Sequence, residues 1–360
     1  MKELRDTLFG KLALIEYKYS KIIVVSMLLI TIFLSFGALN LKFESDFMKE
    51  LPQNFDVVKT QNLINSEFGE EEGIIILLET DFDVVGDIRN KQSLESIYEL
   101  EKRLSSRPEI IDVIGPGTVY YSIFRDIPSD EMSLREVAKT IPGLISKDYT
   151  SAIVMVRMSG VRSEEEIQAA IDIVEEETEK VQLYGLDYTV TGSPVLNKTI
   201  LKILREDSLK TMAISAIIVF LLLSLILRFK SFFVIIPLIC GIVWTAGILS
   251  YIGIPISLVT ASVGAIVIGL GAEYGIFMVL RYNEEAKKDK PNEERVVAMV
   301  AGVGRGTIGS SATTIAGFMA LALSSMPMMV HLGTALSLGI ISCLIGALVF
   351  LPSIMALRKW

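Results

Sequence analysis

Ile268-Gly-Leu-Gly-Ala-Glu-Tyr-Gly-Ile-Phe-Met-Val-Leu-Arg281 is the stretch on which the fold turns. It lies in an apolar run that begins near Ser257 and is long enough to cross a bilayer, for which about 20 residues suffice. One carboxylate, Glu273, interrupts that run. An ionisable side chain at membrane depth costs upward of about 2.5 kcal/mol unless it is neutral, paired or hydrated. Handling of protons or ions is therefore the first functional expectation, and the other apolar runs contain no comparable group.

Around this stretch the chain has 360 residues, 51% of them hydrophobic, and a mean hydropathy of +0.52. That is too apolar for a soluble protein of this length, and several runs of about 20 apolar residues account for the excess. A net charge of -8 leaves no basic footprint for nucleic acid. Cys240 and Cys343 both fall in apolar runs and read as buried free thiols. The lone His331 cannot form a His-based zinc site, so neither metal nor cofactor is expected. The first apolar run is preceded by a mixed-charge segment and lacks a small-residue cleavage site, which reads as an uncleaved anchor.

The pattern predicts six membrane spans. Residues 1–20 place Leu4, Leu8, Leu12 and Ile15 at helical spacing with lysine and arginine between them, an amphipathic helix on the membrane surface. Residues 21–41 are the first span, 42–206 an outside domain, and 207–360 the other five spans. A second amphipathic surface helix is expected near 283–303, between spans four and five. Lysine and arginine gather in the N-terminal segment, in the link holding Arg228 and Lys230, in the link from Arg281 to Arg305, and at Arg358 and Lys359. The links 250–255 and 324–330 carry no charge. Positive links stay inside, so six spans put both termini in the cytoplasm and 42–206 outside the cell membrane.

Within the outside domain, strands are expected at 74–78, 110–114, 151–158 and 187–191, with helices at 93–105 and 164–181. Ser163 and Glu166 form a capping box for the second helix, and Gly115-Pro-Gly117 ends a strand. A short helix is expected near 133–139 and an extra one at 54–68. Two β-α-β runs in succession are the ferredoxin-like arrangement. The domain's acidic excess reads as solubility. The fold class is thus an α-helical membrane protein with six transmembrane helices plus an extracytoplasmic α+β ferredoxin-like domain.

Glu273 lies about 12 Å along the helix from Arg281, in the inner half of the fourth span. Gly264, Gly271 and Gly275 share one helix face and form a packing seam, with Glu273 beside it. The fifth span brings Ser310, Ser311, Thr313 and Thr314 to the depth of Glu273, where hydroxyls can relay a proton or hold water. Tyr274 is a further relay candidate. Desolvation raises a carboxyl pKa and hydrogen bonds to the anion lower it, so a carboxylate alternating between wet and dry surroundings takes up and releases a proton.

Gly271-Ala-Glu-Tyr-Gly-Ile-Phe-Met-Val-Leu-Arg-Tyr-Asn-Glu-Glu285 resembles the fourth-helix motif of the resistance–nodulation–division (RND) superfamily, in its MmpL-like and hydrophobe/amphiphile-exporter branches. Ser310-Ser-Ala-Thr-Thr-Ile-Ala-Gly-Phe-Met-Ala-Leu321, Leu351-Pro352 and Val190-Thr-Gly-Ser-Pro-Val195 fit the same family. The resemblance implies proton-driven movement of lipids or amphiphiles, a porter role for the outside domain, and proton coupling at Glu273 and Tyr274. Glu stands where the family has Asp. The usual member has twelve spans and this layout has six, which implies a homodimer, or a trimer, as the working unit. Other readings are a protein-export accessory subunit of the SecD/SecF type and a non-transporting lipid-sensing scaffold. An enzyme is not expected, since no nucleotide loop, metal set or Ser/His/Asp arrangement appears outside the membrane.

Overall fold

The structure is a computed structural model that describes residues 5–68, 73–81, 83–158 and 164–357. Its first elements are α1 (Leu8–Lys18), α2 (Ser20–Leu39), α3 (Asp56–Phe68), β1 (Gly73–Thr80), α4 (Lys91–Ser105), β2 (Ile110–Ile114), α5 (Pro116–Phe124) and α6 (Glu131–Thr140). There follow β3 (Ser151–Met158), α7 (Glu164–Lys180), β4 (Leu186–Thr191), α8 (Ser193–Leu227), α9 (Ser231–Ile252), α10 (Val263–Ala286), α11 (Asn292–Leu321), α12 (Pro327–Ile345) and α13 (Leu351–Leu357). The chain divides into two compact units, Asn54–Ile200 and the combination of Met1–Gln53 with Leu201–Trp360.

In the Asn54–Ile200 unit, alternation decides the sheet. Ile74, Ile76 and Leu78 of β1 and Ala152, Val154 and Val156 of β3 all point to one buried face. That face packs on the apolar stripe of α4 (Leu94, Ile97, Leu100, Leu104) and on Ile171 and Val174 of α7. The four strands are antiparallel in the order β2-β3-β1-β4. Gly192 closes β4 at φ +113, and a methyl group there would lie 2.3 Å from the Gly73 carbonyl oxygen.

The sequence reading differs from the structure at Gly115-Pro-Gly117, which ends β2 but also begins α5. Proline at the first helical position has no N–H to lose, so it starts a helix readily. The amides freed at that terminus are taken by Glu101 of α4, which is buried and accepts from Gly117 N at 3.0 Å and from both the amide and hydroxyl of Thr118. Ser163, expected as the cap of α7, lies outside the described residues.

Among the described residues, four helical stretches are long and apolar enough to cross a membrane: Ser20–Leu39, Ser193–Ile252, Thr260–Ala286 and Pro327–Leu357. The second contains two helices, α8 and α9, joined by a 3-10 turn at Arg228–Lys230. α11 is not among them, because the glycines, serines and threonines beside Arg305 dilute its apolar character. The separate surface helix expected near 283–303 does not form. α10 runs on to Ala286, a short turn follows, and α11 is continuous from Asn292. Its first turns are core, with Val296, Val297, Ala298, Met299 and Val300 fully buried.

α2 and α8 expose bulky apolar side chains along their length, among them Phe33, Phe36, Ile217 and Leu221. α1 turns Phe9, Ala13 and Glu16 inward, while Leu8 and Ile15 face out. Neither carboxylate oxygen of Glu16 has a hydrogen-bond partner. Burial pushes this carboxyl up to about 9, so it is neutral at pH 7. The last long helix widens into a π-turn at Gly346–Phe350, just before Pro352, whose missing N–H breaks the regular ladder.

Burial pushes the Glu101 carboxyl up to about 7, against the opposing donors Thr118 and Gly117. The native fold therefore holds this proton more tightly than the unfolded chain does. The resulting stability is present in full below pH 4.5 and is lost as pH rises through 7, and the difference is on the order of 3 kcal/mol at most. Hydrogen exchange of the β1–β4 amides, corrected for intrinsic rates, should show this slope in the wild type. Glu101→Gln should remove it.

Candidate functional site

α10 is held by its glycines. A methyl group at Gly271 would lie 2.7 Å from Cys343 Sγ and 2.8 Å from Leu238 Cδ1; at Gly275 it would lie 2.4 Å from Val234 Cγ1. At Gly264 it would meet Met212 Sδ at 3.1 Å. These glycines face α12, α9 and α8 rather than α11. Glu273 is two residues from Gly271 and Gly275, about 200° around the helix. It therefore projects opposite the seam, not beside it, and it is exposed.

On that opposite side α10 and α11 enclose an open groove of about 420 Å³. Glu273, Tyr274, Phe277, Leu280, Arg281 and Glu284 form one wall, and Gly302, Val303, Gly306, Thr307 and Ser310 the other. The first wall follows helical spacing, so the carboxylate near one end and the Arg281–Glu284 ion pair (2.8 Å) near the other share a face. The second wall is low because glycines lie on it.

The structure brings together only some of the relay residues expected from the sequence. Ser310 borders the groove with Glu273. Ser311 is fully buried and donates to Thr307 O at 2.7 Å. Thr313 and Thr314 do not line the groove; their hydroxyls donate to Ser310 O at 2.7 and 3.0 Å. Depth along the helix matched Glu273 for all four, but helical phase admits only Ser310. Thr307, Gly302, Gly306, Arg281 and Glu284 were missed. The signal that could have found the last two was the spacing of residues 273, 277, 280/281 and 284.

Below the groove, Arg281-Tyr-Asn-Glu-Glu285 is a structural knot. Glu285 is buried and accepts from Arg281 Nη2 (3.0 Å), Lys288 Nζ (3.0 Å) and Lys290 Nζ. Tyr282 donates to Asn292 Oδ1 at 2.6 Å, and Asn292 donates on to the carbonyls of Met355 and Ala356. Asn283 accepts from Lys230. One pentapeptide thereby ties α10 to the α8–α9 turn, to α11 and to α13. Among the described residues no cluster of His, Cys, Asp and Glu could hold a metal ion.

The family model described as "MMPL family" matches residues 50–358. The chain belongs to the MMPL family. It is 28% identical over 346 residues to a putative membrane protein of Methanocaldococcus jannaschii, covering 92% of this chain and 89% of that one. It is 26% identical over 230 residues to the probable transport protein MmpL4 of Mycobacterium leprae, and 24% over 229 residues to the siderophore exporter MmpL5 of Mycobacterium tuberculosis. These alignments take in 60% and 61% of this chain but only 23% and 24% of the mycobacterial proteins. This MMPL chain is therefore a multi-pass membrane protein that matches the archaeal relative over nearly its full length and the mycobacterial ones over about a quarter of theirs.

The geometry separates two kinds of glycine in the MMPL chain. Gly275→Ala drives a methyl group into Val234 and should cost about 1–3 kcal/mol by overpacking. Gly269→Ala, with open space around it, should be neutral or mildly stabilising. Thermal unfolding of both variants in detergent checks the contrast.

Proposed function

We propose that this MMPL chain moves hydrophobic or amphiphilic molecules, lipids among them, by coupling their transfer to protons at Glu273, and that it works as a homodimer. It is not an enzyme. The reading adopts six spans, with α11 as the fifth, both termini in the cytoplasm, and the Asn54–Ile200 unit outside as a ferredoxin-like porter domain. The β2-β3-β1-β4 order supports that last assignment. The mycobacterial relatives, named as transport proteins and a siderophore exporter, support the substrate class.

One observation carries the mechanism: an exposed carboxylate in the middle of an apolar helix, on a face that the chain itself leaves open. Facing lipid, that group would cost several kcal/mol. Facing the same groove of a second copy, across a two-fold axis along the membrane normal, it meets polar groups and water instead. A self-complementary face brings two Glu273 side chains to the seam, each with Ser310 and Tyr274 at hand. Proton uptake neutralises Glu273 and allows a drier packing of the two faces, while release restores the hydrated one. The alternation between these packings is the movement that the outside domain would convert into substrate transfer.

In reconstituted vesicles, Glu273→Gln should assemble normally and lose proton-dependent substrate movement. Undiminished transport would remove the coupling role. Phe277→Cys, placed in the same groove, should form a disulfide between two copies on oxidation in the membrane; a chain that is active and monomeric by mass would rule out the dimer.

A further inference from the structure

We infer that His331 and Glu50 form a second protonation site, which fastens a strap of residues 42–53 across the helix ends of the Met1–Gln53/Leu201–Trp360 unit. The strap leaves α2 and is anchored first by backbone. Ile256 N donates to Lys42 O at 2.8 Å, and Glu44 N donates to Ile256 O at 2.9 Å, with Phe43 bridging to Ile256. It then coils into a 3-10 turn at Phe47–Glu50, capped by Asp46, whose side chain accepts from Met48 N. The turn ends on Glu50, whose carboxylate faces the ring of His331 in the opening turns of α12.

Both groups are set for each other. Glu50 is 5% exposed, and its Oε2 is buried with no hydrogen-bond partner. His331 Nδ1 is likewise buried and unpartnered, and the two atoms are 3.5 Å apart. Among the neighbouring elements, α12, the end of α9, the 253–262 link and the 306–326 stretch contain no Asp, Glu, Lys or Arg. α8 brings the Arg205 guanidinium over the Phe43 ring of the strap (5.3 Å), and its Glu206 and Asp207 pair with Lys210. On the strap itself Lys49 pairs with Glu44 (3.1 Å) and Asp46 (3.9 Å).

A buried carboxylate oxygen with no donor, as Glu50 Oε2 is, is costly, and a neutral imidazole does little to relieve it. When His331 takes a proton from water, it becomes an imidazolium that donates from Nδ1 to Glu50 Oε2, a charge-assisted bond. Loss of that proton returns the carboxylate to its unpaired state and loosens the turn. Histidine is the side chain that makes this exchange between about pH 5 and 8. In sequence the strap joins α2 to the Asn54–Ile200 unit, so the site reports acidity on the segment that leads into that unit. Its placement outside the cell rests on the topology proposed above; the pairing does not.

Hydrogen exchange on the full chain in nanodiscs, from pH 5.5 to 8.5, tests this through protection factors of amides 47–53 corrected for intrinsic rates. The wild type should lose at least tenfold protection as pH rises. His331→Gln and Glu50→Gln should be poorly protected at every pH, and Glu273→Gln should follow the wild type. A flat wild-type profile, or the same pH-dependent fall in His331→Gln, would overturn the proposal. Should Glu50→Gln not fold, His331→Gln decides the matter alone. A failure of Glu273 as the coupling residue would leave these profiles unchanged, which keeps the two proposals separable.

Discussion

A methyl group at Gly339 would lie 2.3 Å from Val267 Cγ2, at Gly346 2.9 Å from the Pro237 carbonyl, and at Gly241 2.9 Å from Cys343 Sγ. With Gly271 and Gly275, these positions let α9, α10 and α12 approach backbone to side chain, with no room for a Cβ between them. Between helices in lipid the hydrophobic effect is largely spent, so close van der Waals contact carries much of the association. The three-helix contact fixes the rotation of α10. Once that rotation is set, Tyr274 is buried and Glu273 is forced outward, because 200° separates it from the glycines.

That rotation is also why the carboxylate stays exposed on the groove. Buried in the three-helix contact, Glu273 would have been a neutral packing residue. Turned into the α10–α11 groove, it borders a glycine-floored space large enough for a file of water molecules at about 30 Å³ each. The face is polar at both ends and apolar at Phe277 and Leu280 between them. Such a face is poorly suited to lipid, and the proposed dimer would cover it.

Much of this was legible in the sequence, and the failures have a common cause. Composition and periodicity showed the apolar helices and the four strands, because burial and bilayer length write themselves into residue spacing. Helical phase was harder. Depth alone placed Thr313 and Thr314 with Glu273, although the hydroxyls of both turn back to Ser310 O. The segment 283–303 looked amphipathic because its charges were counted as solvent-facing, yet Glu285 is buried among three cations and Asn292 is bonded to α13. Local pattern cannot tell a solvated charge from a paired one. The same holds for Glu101, which looked like one more surface acid on α4 and instead caps α5.

The two ends of the helical unit are fastened differently. At the end with the basic links, ion pairs and hydrogen bonds join separate elements: Arg5 of the N-terminal segment to Glu293, Glu285 to the residues after α10, Tyr282 to α11 and Asn292 to α13. At the other end, among the described residues, the ion pairs are local to the strap or to one turn of α8, and His331–Glu50 is the one that joins two elements. Local opening is cheapest where the fewest cross-links must break. Motion of the helices relative to one another should therefore pivot about the knotted end and open the end beneath the strap. Glu273, set nearer the pivot by its distance from Arg281, then moves little while the far ends move most. On the proposed coupling, that position suits a group that meets water on alternate sides without itself travelling across the membrane.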